Sequence, residues 1–122
     1  MLLLVTKRIE DFMPEKASDL IQGTLDMLIL KTLALEPMHG YGISVRIEQI
    51  SKGVFRLNAG SLFLAIQRLE RDGLIQSEWK PTENNRRAKY HALTRKGRTR
   101  LNNETREWER QATAIARILE AT

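Results

Sequence analysis

Between Asn84 and Asn103 lie seven cations and no acid: Arg86, Arg87, Lys89, Arg95, Lys96, Arg98 and Arg100. Charge at this density suits a polyanion, because each cation can neutralise a phosphate and release its counterion. Arg86 and Arg87 are expected on phosphates or in a minor groove, and Lys89 on phosphate. Upstream, Ser61, Gln67 and Arg68 are of the types that touch base edges: the Gln amide matches adenine and the Arg fork matches guanine. Other chemistry finds no support. His39 and His91 are the only histidines, and neither has a cysteine or a second histidine at ligand spacing, so no metal is expected. No Gly-x-Ser-x-Gly or phosphate-loop pattern occurs, and the acids Glu107 and Glu109 fall on different helix faces. The chain is therefore not expected to be an enzyme, and no cofactor is implied.

The elements that must position these side chains can be read from apolar spacing. Leu25, Leu28, Ile29, Thr32 and Leu33 predict a first helix over 24–35, ended by Glu36-Pro37-Met38-His39-Gly40. Ile43, Ile47 and Ile50 predict a second, from about Tyr41 to Ser51, with Phe55 and Leu57 buried in the connector that follows. Tyr41 either packs at the start of that helix or offers its hydroxyl to a phosphate. Asn58 is a good N-cap for a third helix, which Gly73 stops. Leu62, Ala65, Ile66 and Leu69 face inward, whereas Gly60, Leu64, Gln67 and Arg71 share the outer face, with Ser61 and Arg68 beside it. Leu74 to Trp79 and Lys89 to Leu93 read as two short strands. Three helices followed by a basic hairpin are the parts of a winged helix-turn-helix, mainly α with a small β-hairpin. In such a fold the third helix enters the major groove of double-stranded DNA and the hairpin lies along phosphate.

A last helix starts at the N-cap Thr94 and runs to about Glu120. Leu101, Thr105, Trp108, Ala112, Ile115 and Leu119 recur at steps of four and three, a 3.5-residue period that marks a helix-pair seam. A second subunit is the expected partner, which makes this a C-terminal dimerisation helix; the alternative is that it folds back on the first helix of its own chain. Trp108 is read either as seam core or as the lining of a small-molecule effector pocket.

With 122 residues, 42% hydrophobic and 29% charged, the chain has room for one domain with a real core. Residues 1–18 read as a loosely ordered arm, 19–93 as the winged helix-turn-helix and 94–122 as the dimerisation helix. Net charge is +5, and 13 of the 20 cations lie from Arg68 onward, which favours a polyanionic partner, although a solvated charged face is the plainer reading of charge alone. The absence of cysteine fits a reducing compartment. Met1-Leu2-Leu3-Leu4-Val5 is too short for a signal-peptide apolar region, and Lys31 interrupts the longest apolar stretch, so no membrane span and a cytoplasmic location are expected.

Four motifs in order resemble the PadR family of transcriptional regulators. They are Gln22-Gly23-Thr24-Leu25-Asp26 at the first helix and His39-Gly40-Tyr41-Gly42-Ile43 at the second. Gly60-Ser61-Leu62-Phe63-Leu64-Ala65-Ile66 with Gly73-Leu74-Ile75 marks the third helix and the start of the wing. Arg86-Arg87-Ala88-Lys89-Tyr90 with Leu93-Thr94-Arg95-Lys96-Gly97 marks the outgoing strand and last helix. The resemblance implies a homodimeric winged-helix protein, usually a repressor, that binds inverted-repeat operators and is often released by a small molecule. The expected DNA-facing set is then Tyr41, Asn58, Gly60, Ser61, Phe63, Leu64, Gln67, Arg68, Arg86, Arg87 and Lys89. Two positions depart from the family pattern, which generally has tyrosine where this chain has Phe63 and proline where it has Leu64. Phe63 cannot hydrogen-bond a phosphate; Leu64 either touches a thymine methyl or is a variant surface leucine. The rival reading is a winged-helix module that binds protein instead of DNA, against which the basic wing argues.

Overall fold

A computed structural model describes residues 23–122. The expected arm, 1–18, and Gln22 of the first motif lie outside the described residues. Helix α1 occupies 23–35, followed by β1 (Met38–His39), α2 (Gly40–Ile50), α3 (Ala59–Arg71), β2 (Ile75–Pro81), β3 (Arg87–Leu93) and α4 (Arg95–Glu120).

The core follows the apolar spacing. Leu25, Ile29, Leu30 and Leu33 of α1 meet Ile43 and Ile47 of α2 and the inner face of α3, made by Leu62, Ala65, Ile66 and Leu69. Each fully buried Leu or Ile contributes roughly 1.5–3 kcal/mol, so the three-helix packing dominates the stability of the domain. Thr32, buried among these side chains, satisfies its hydroxyl by donating to the Leu28 carbonyl at 2.7 Å. Phe55 and Leu57 are half-buried against the core. Ile50, expected on the inner face of α2, is exposed: it is the last residue of that helix, where the chain turns away through Ser51–Gly53.

The ribbon carries one more strand than the sequence predicted. β2 and β3 pair antiparallel from Ile75↔Leu93 to Pro81↔Arg87, and β1 adds to the free edge of β3 through Met38↔His91 and His39↔Tyr90, giving the order β1-β3-β2. Two residues of strand inside a turn leave no period-2 pattern to read. His39 then caps α2, its Nδ1 accepting from the Gly42 amide at 3.0 Å.

The two ends of the β-ribbon are tied to helices. Helix α3 closes with Gly73 N–H donating to the Glu70 carbonyl and Leu74 N–H to that of Leu69, with Gly73 at φ 77 in the left-handed region that favours glycine. The start of α4 is bound to the same turn. The Thr94 hydroxyl donates to the Gly73 carbonyl at 2.7 Å and accepts from the Gly97 amide at 3.0 Å, while Lys96 Nζ donates to the Asp72 carbonyl at 2.9 Å. Gly97 lies against the Leu74 carbonyl so closely that a Cβ there would overlap its oxygen and stand 2.8 Å from Leu93 Cδ1. Because the obstacle is backbone, Gly97→Ala should destabilise the chain by roughly 1–3 kcal/mol, the usual cost of overpacking. A urea midpoint equal to that of the unsubstituted protein would contradict this close approach.

Candidate nucleic-acid interface

Helix α3 owes its position to a cap and to its inner face. Asn58 Oδ1 accepts from the Ser61 amide at 3.0 Å, and Gly60 leaves room for that cap, since a Cβ there would come within 3.1 Å of the same oxygen. With the inner face buried, Gly60, Phe63, Leu64, Gln67 and Arg71 are exposed and Ser61 is half-buried. The outer face expected from the sequence is thus presented to solvent as one surface. Asn58 holds the helix start, its side-chain oxygen occupied by the cap.

The wing stands beside this surface. Its turn is closed by Asn85 N–H donating to the Thr82 carbonyl at 2.9 Å and Arg86 N–H to the Thr82 hydroxyl at 3.3 Å, with Asn85 at φ 63. Asparagine tolerates that backbone better than other non-glycine residues. The turn places Arg86 and Arg87 at the tip, and among the described residues neither has a carboxylate partner. Lys89, further in, pairs with Glu70 of α3 at 3.3 Å, which ties the wing to the helix. Beneath that pair the wing is anchored by His91, which is buried and shares a 2.6 Å hydrogen bond with the Ser77 hydroxyl. Burial holds its imidazole below the ordinary pKa range and therefore neutral. Between helix and wing runs a groove of about 870 Å³, lined by Tyr41, Phe63, Gln67, Trp79, Arg86 and Arg87 among others.

The basic run that looks continuous in sequence is divided in space. Arg86, Arg87 and Lys89 line the groove; Arg95, Lys96 and Arg100 border a separate hollow at the start of α4. Arg68 is also set apart from the other expected base-edge residues. Its guanidinium is bonded to Asp26 of α1 at 2.5 Å, and it is only partly exposed. A spacing argument on α3 alone could not see this, because the partner lies 42 residues away.

Around that ion pair sits a small polar cluster. Burial raises the Asp26 carboxyl above its ordinary value even with Arg68 beside it. Glu104 of α4 is raised too, first by burial and then by Asp26, with Arg100 working the other way. Its Oε1 is enclosed and without a hydrogen-bond partner among the described residues. Asp26 entered the sequence reading only as part of a motif and Glu104 not at all, since a carboxylate on the strongly charged α4 usually faces solvent.

Helix α4 projects beyond the core. Leu101, expected on the seam between subunits, is buried in the core of its own chain, because the first turns of α4 pack against Leu74 and against Leu93 of β3 before the helix extends outward. Thr105 and Ala112 are half-buried, while Trp108, Ile115 and Leu119 are exposed at 51%, 56% and 78%. Met27, Leu28 and Lys31 of α1 and Leu101, Thr105 and Trp108 of α4 border a trough of about 450 Å³. Helix α4 therefore meets α1 of its own chain at its root, and among the described residues nothing covers its outer half.

A three-helix core, an exposed third helix and a basic ribbon beside it define a winged helix-turn-helix, here extended by a long C-terminal helix. The model of the transcriptional regulator PadR-like family matches residues 29–103, and the chain belongs to that family of DNA-binding transcriptional regulators. It is 30% identical over 91 residues to an uncharacterised protein of Lysinibacillus sphaericus, a match spanning 75% of this chain and 84% of that one. Among solved structures, it is similar to a transcriptional regulator from Clostridium thermocellum, with a TM-score of 0.77, 29% identity, and 84% of this chain and 100% of that chain covered. A PadR family transcriptional regulator from Eggerthella lenta matches with a TM-score of 0.74, 27% identity, and 95% and 99% coverage. Among the described residues no helix is long and apolar enough to cross a membrane, and no cluster of three or more His, Cys, Asp or Glu could hold a metal.

The polar cluster behind α3 has a pH signature. Folded Glu104 takes up its proton at a higher pH than it does unfolded, so its charge costs stability above that range and the cost vanishes as pH falls through it. Glu104→Gln should therefore raise the urea midpoint at pH 7, and the gain should disappear at a pH below the ordinary carboxyl value of 4.5. A pH-independent gain, or a loss at neutral pH, would contradict this account of the side chain.

Proposed function

We propose that the chain is a sequence-specific repressor that binds inverted-repeat operators as a homodimer. One observation carries this reading: the exposed face of α3 and the two unpaired wing-tip arginines converge on a single groove. In this arrangement Gln67, with Ser61 and Leu64 beside it, meets base edges in the major groove. Arg86 and Arg87 take phosphates or the minor groove, and the Tyr41 hydroxyl takes a phosphate at the near edge. Phe63 contributes apolar contact only. Lys89 and Arg68 act chiefly by holding the wing and α3 in place, through Glu70 and Asp26. Arg68→Ala should thus weaken binding to every DNA sequence and lower stability, without changing which sequence is preferred.

The dimer reading draws support from the outer half of α4, where Trp108, Ile115 and Leu119 form an apolar stripe left more than half exposed by the described residues. A second copy of the helix is its natural partner, with the seam starting at Thr105 instead of Leu101. Trp108 also borders the trough with Met27 and Leu28, which supports a site for a planar aromatic effector near the seam. Replacing both Trp108 and Ile115 by Glu should yield monomers in sedimentation, and an intact dimer would contradict the seam.

Readout and positioning separate by salt. Removing Arg87 by Arg87→Ala should weaken binding to all duplexes and lower the log–log salt slope by about one unit. Gln67→Ala should cost about 1–3 kcal/mol on operator DNA and leave scrambled duplex nearly unaffected. Equal loss of specific and non-specific binding in both variants would overturn the assignment of α3 as the reading element.

A further inference from the structure

Trp79, on β2, has specific surroundings. Residues alternate faces along a strand, so Trp79 shares the inner face of β2 with Ser77 and lies directly across from Lys89 on β3. The pair one step further out on that face is Pro81↔Arg87, which makes Arg87 the diagonal neighbour of Trp79. Its guanidinium carbon lies 5.6 Å from the centre of the indole ring, within the range of a cation–π contact. Lys89 pairs with Glu70 of α3, and the indole beside it is 56% exposed. It forms part of the groove wall, together with Phe63 and Gln67.

We infer that Trp79 is a DNA-contacting and positioning residue: it orients the Arg87 guanidinium and presents its own ring to the backbone of the bound strand. This rests on the DNA-binding reading above. Arginine has a long, flexible stem, and an unpaired one at a turn samples many rotamers. Stacking on the indole limits those rotamers and leaves the five N–H donors at the edge of the guanidinium plane directed outward. The indole itself brings a flat apolar face and one N–H donor, a match for a deoxyribose and an adjacent phosphate oxygen. The wing cations then have three distinct situations: Arg87 is oriented by a ring, Lys89 is held by a carboxylate, and Arg86 has no carboxylate partner among the described residues.

The test uses the full chain and a duplex fragment that the wild-type protein itself selects from genomic DNA. Protein labelled with 5-fluorotryptophan has two fluorine resonances, one per tryptophan, and Trp79→Phe identifies the relevant one. On adding the duplex, the Trp79 resonance should shift and lose its sensitivity to exchange of H₂O for D₂O. An unshifted resonance that keeps its solvent sensitivity would overturn the contact, and this arm needs no variant to bind DNA. In parallel, Trp79→Leu should weaken binding about tenfold, as a partly desolvated cation–π pair implies, whereas Trp79→Phe should recover most of it. Combining Trp79→Leu with Arg87→Ala should weaken binding by clearly less than the product of the two single losses, because part of what Trp79 contributes runs through Arg87. Multiplying losses, or wild-type affinity in Trp79→Leu, would overturn the coupling. Gln67→Ala and Arg86→Ala separate the two readings. If they weaken binding while the Trp79 variants do not, only this inference falls; if none of them does, the DNA-binding reading falls with it.

Discussion

The direction in which helix α4 leaves the core is set where its first turn meets the Asp72–Leu74 turn that follows α3, with no side chain between Gly97 and the Leu74 carbonyl. Gly97 lies on the Leu74 carbonyl, Thr94 is bonded to Gly73 on one side and to Gly97 on the other, and Lys96 reaches the Asp72 carbonyl. Those same residues, Asp72 to Leu74, close helix α3. One turn of backbone therefore fixes the element proposed to read DNA and the element proposed to pair subunits at a set angle to each other. Spacing between two half-sites is a geometric consequence of such an angle, since two readers in a dimer must meet successive faces of the duplex. The glycines here answer to two different demands: Gly73 supplies a left-handed turn and Gly97 supplies proximity.

Charge is distributed by the same logic of attachment. Of the cations near α3 and the wing, Arg68 is committed to Asp26 and Lys89 to Glu70. Each joins two elements that would otherwise touch only through apolar contacts, and each is partly shielded, so its value lies in fixing geometry more than in net stability. Arg86 and Arg87 remain at the turn, where they carry positive charge without a counter-ion from the described residues. A protein that used its wing only for structure would gain nothing from two adjacent unpaired arginines, and would incur their mutual repulsion. Behind α3 the Asp26 carboxylate acts on Glu104 of α4 by like-charge repulsion, and Glu104 is held partly out of solvent with no hydrogen-bond partner for Oε1 among the described residues. Helix α3 is thus tied to α1 from behind through Arg68–Asp26 and to the wing in front through Glu70–Lys89.

Much of this was legible in the sequence, for reasons that differ by element. The helices announce themselves through strong local signals: Asn58 and Thr94 cap α3 and α4 as their positions imply, and the buried face of α3 is the set Leu62, Ala65, Ile66 and Leu69. The hairpin is legible from its turn and its flanking apolar residues. What escaped was long-range or two-sided. Strand β1 is two residues long and is defined only by its partner. Leu101 fits the seam period, but a period does not say which of two partners, core or subunit, takes its first member. Arg68 has the right type and position for a base contact, but its pairing with Asp26, on another helix, could not be read from spacing on α3. Trp79 could have been noticed as an aromatic alternating with Ser77 and Ile75 on the inner face of β2, but its stacking with Arg87 depends on register, which a hairpin sequence leaves open by one residue.

The central claim is that α3 and the wing tip together form the surface that meets DNA. Amide hydrogen exchange of the full chain, with and without a duplex it has selected, tests this in one experiment. The account predicts that bound DNA slows exchange at the start of α3 and across the wing from Trp79 to Lys89, while the exposed outer half of α4 is unaffected by DNA. Protection confined to α4, or absent from both α3 and the wing, would contradict it.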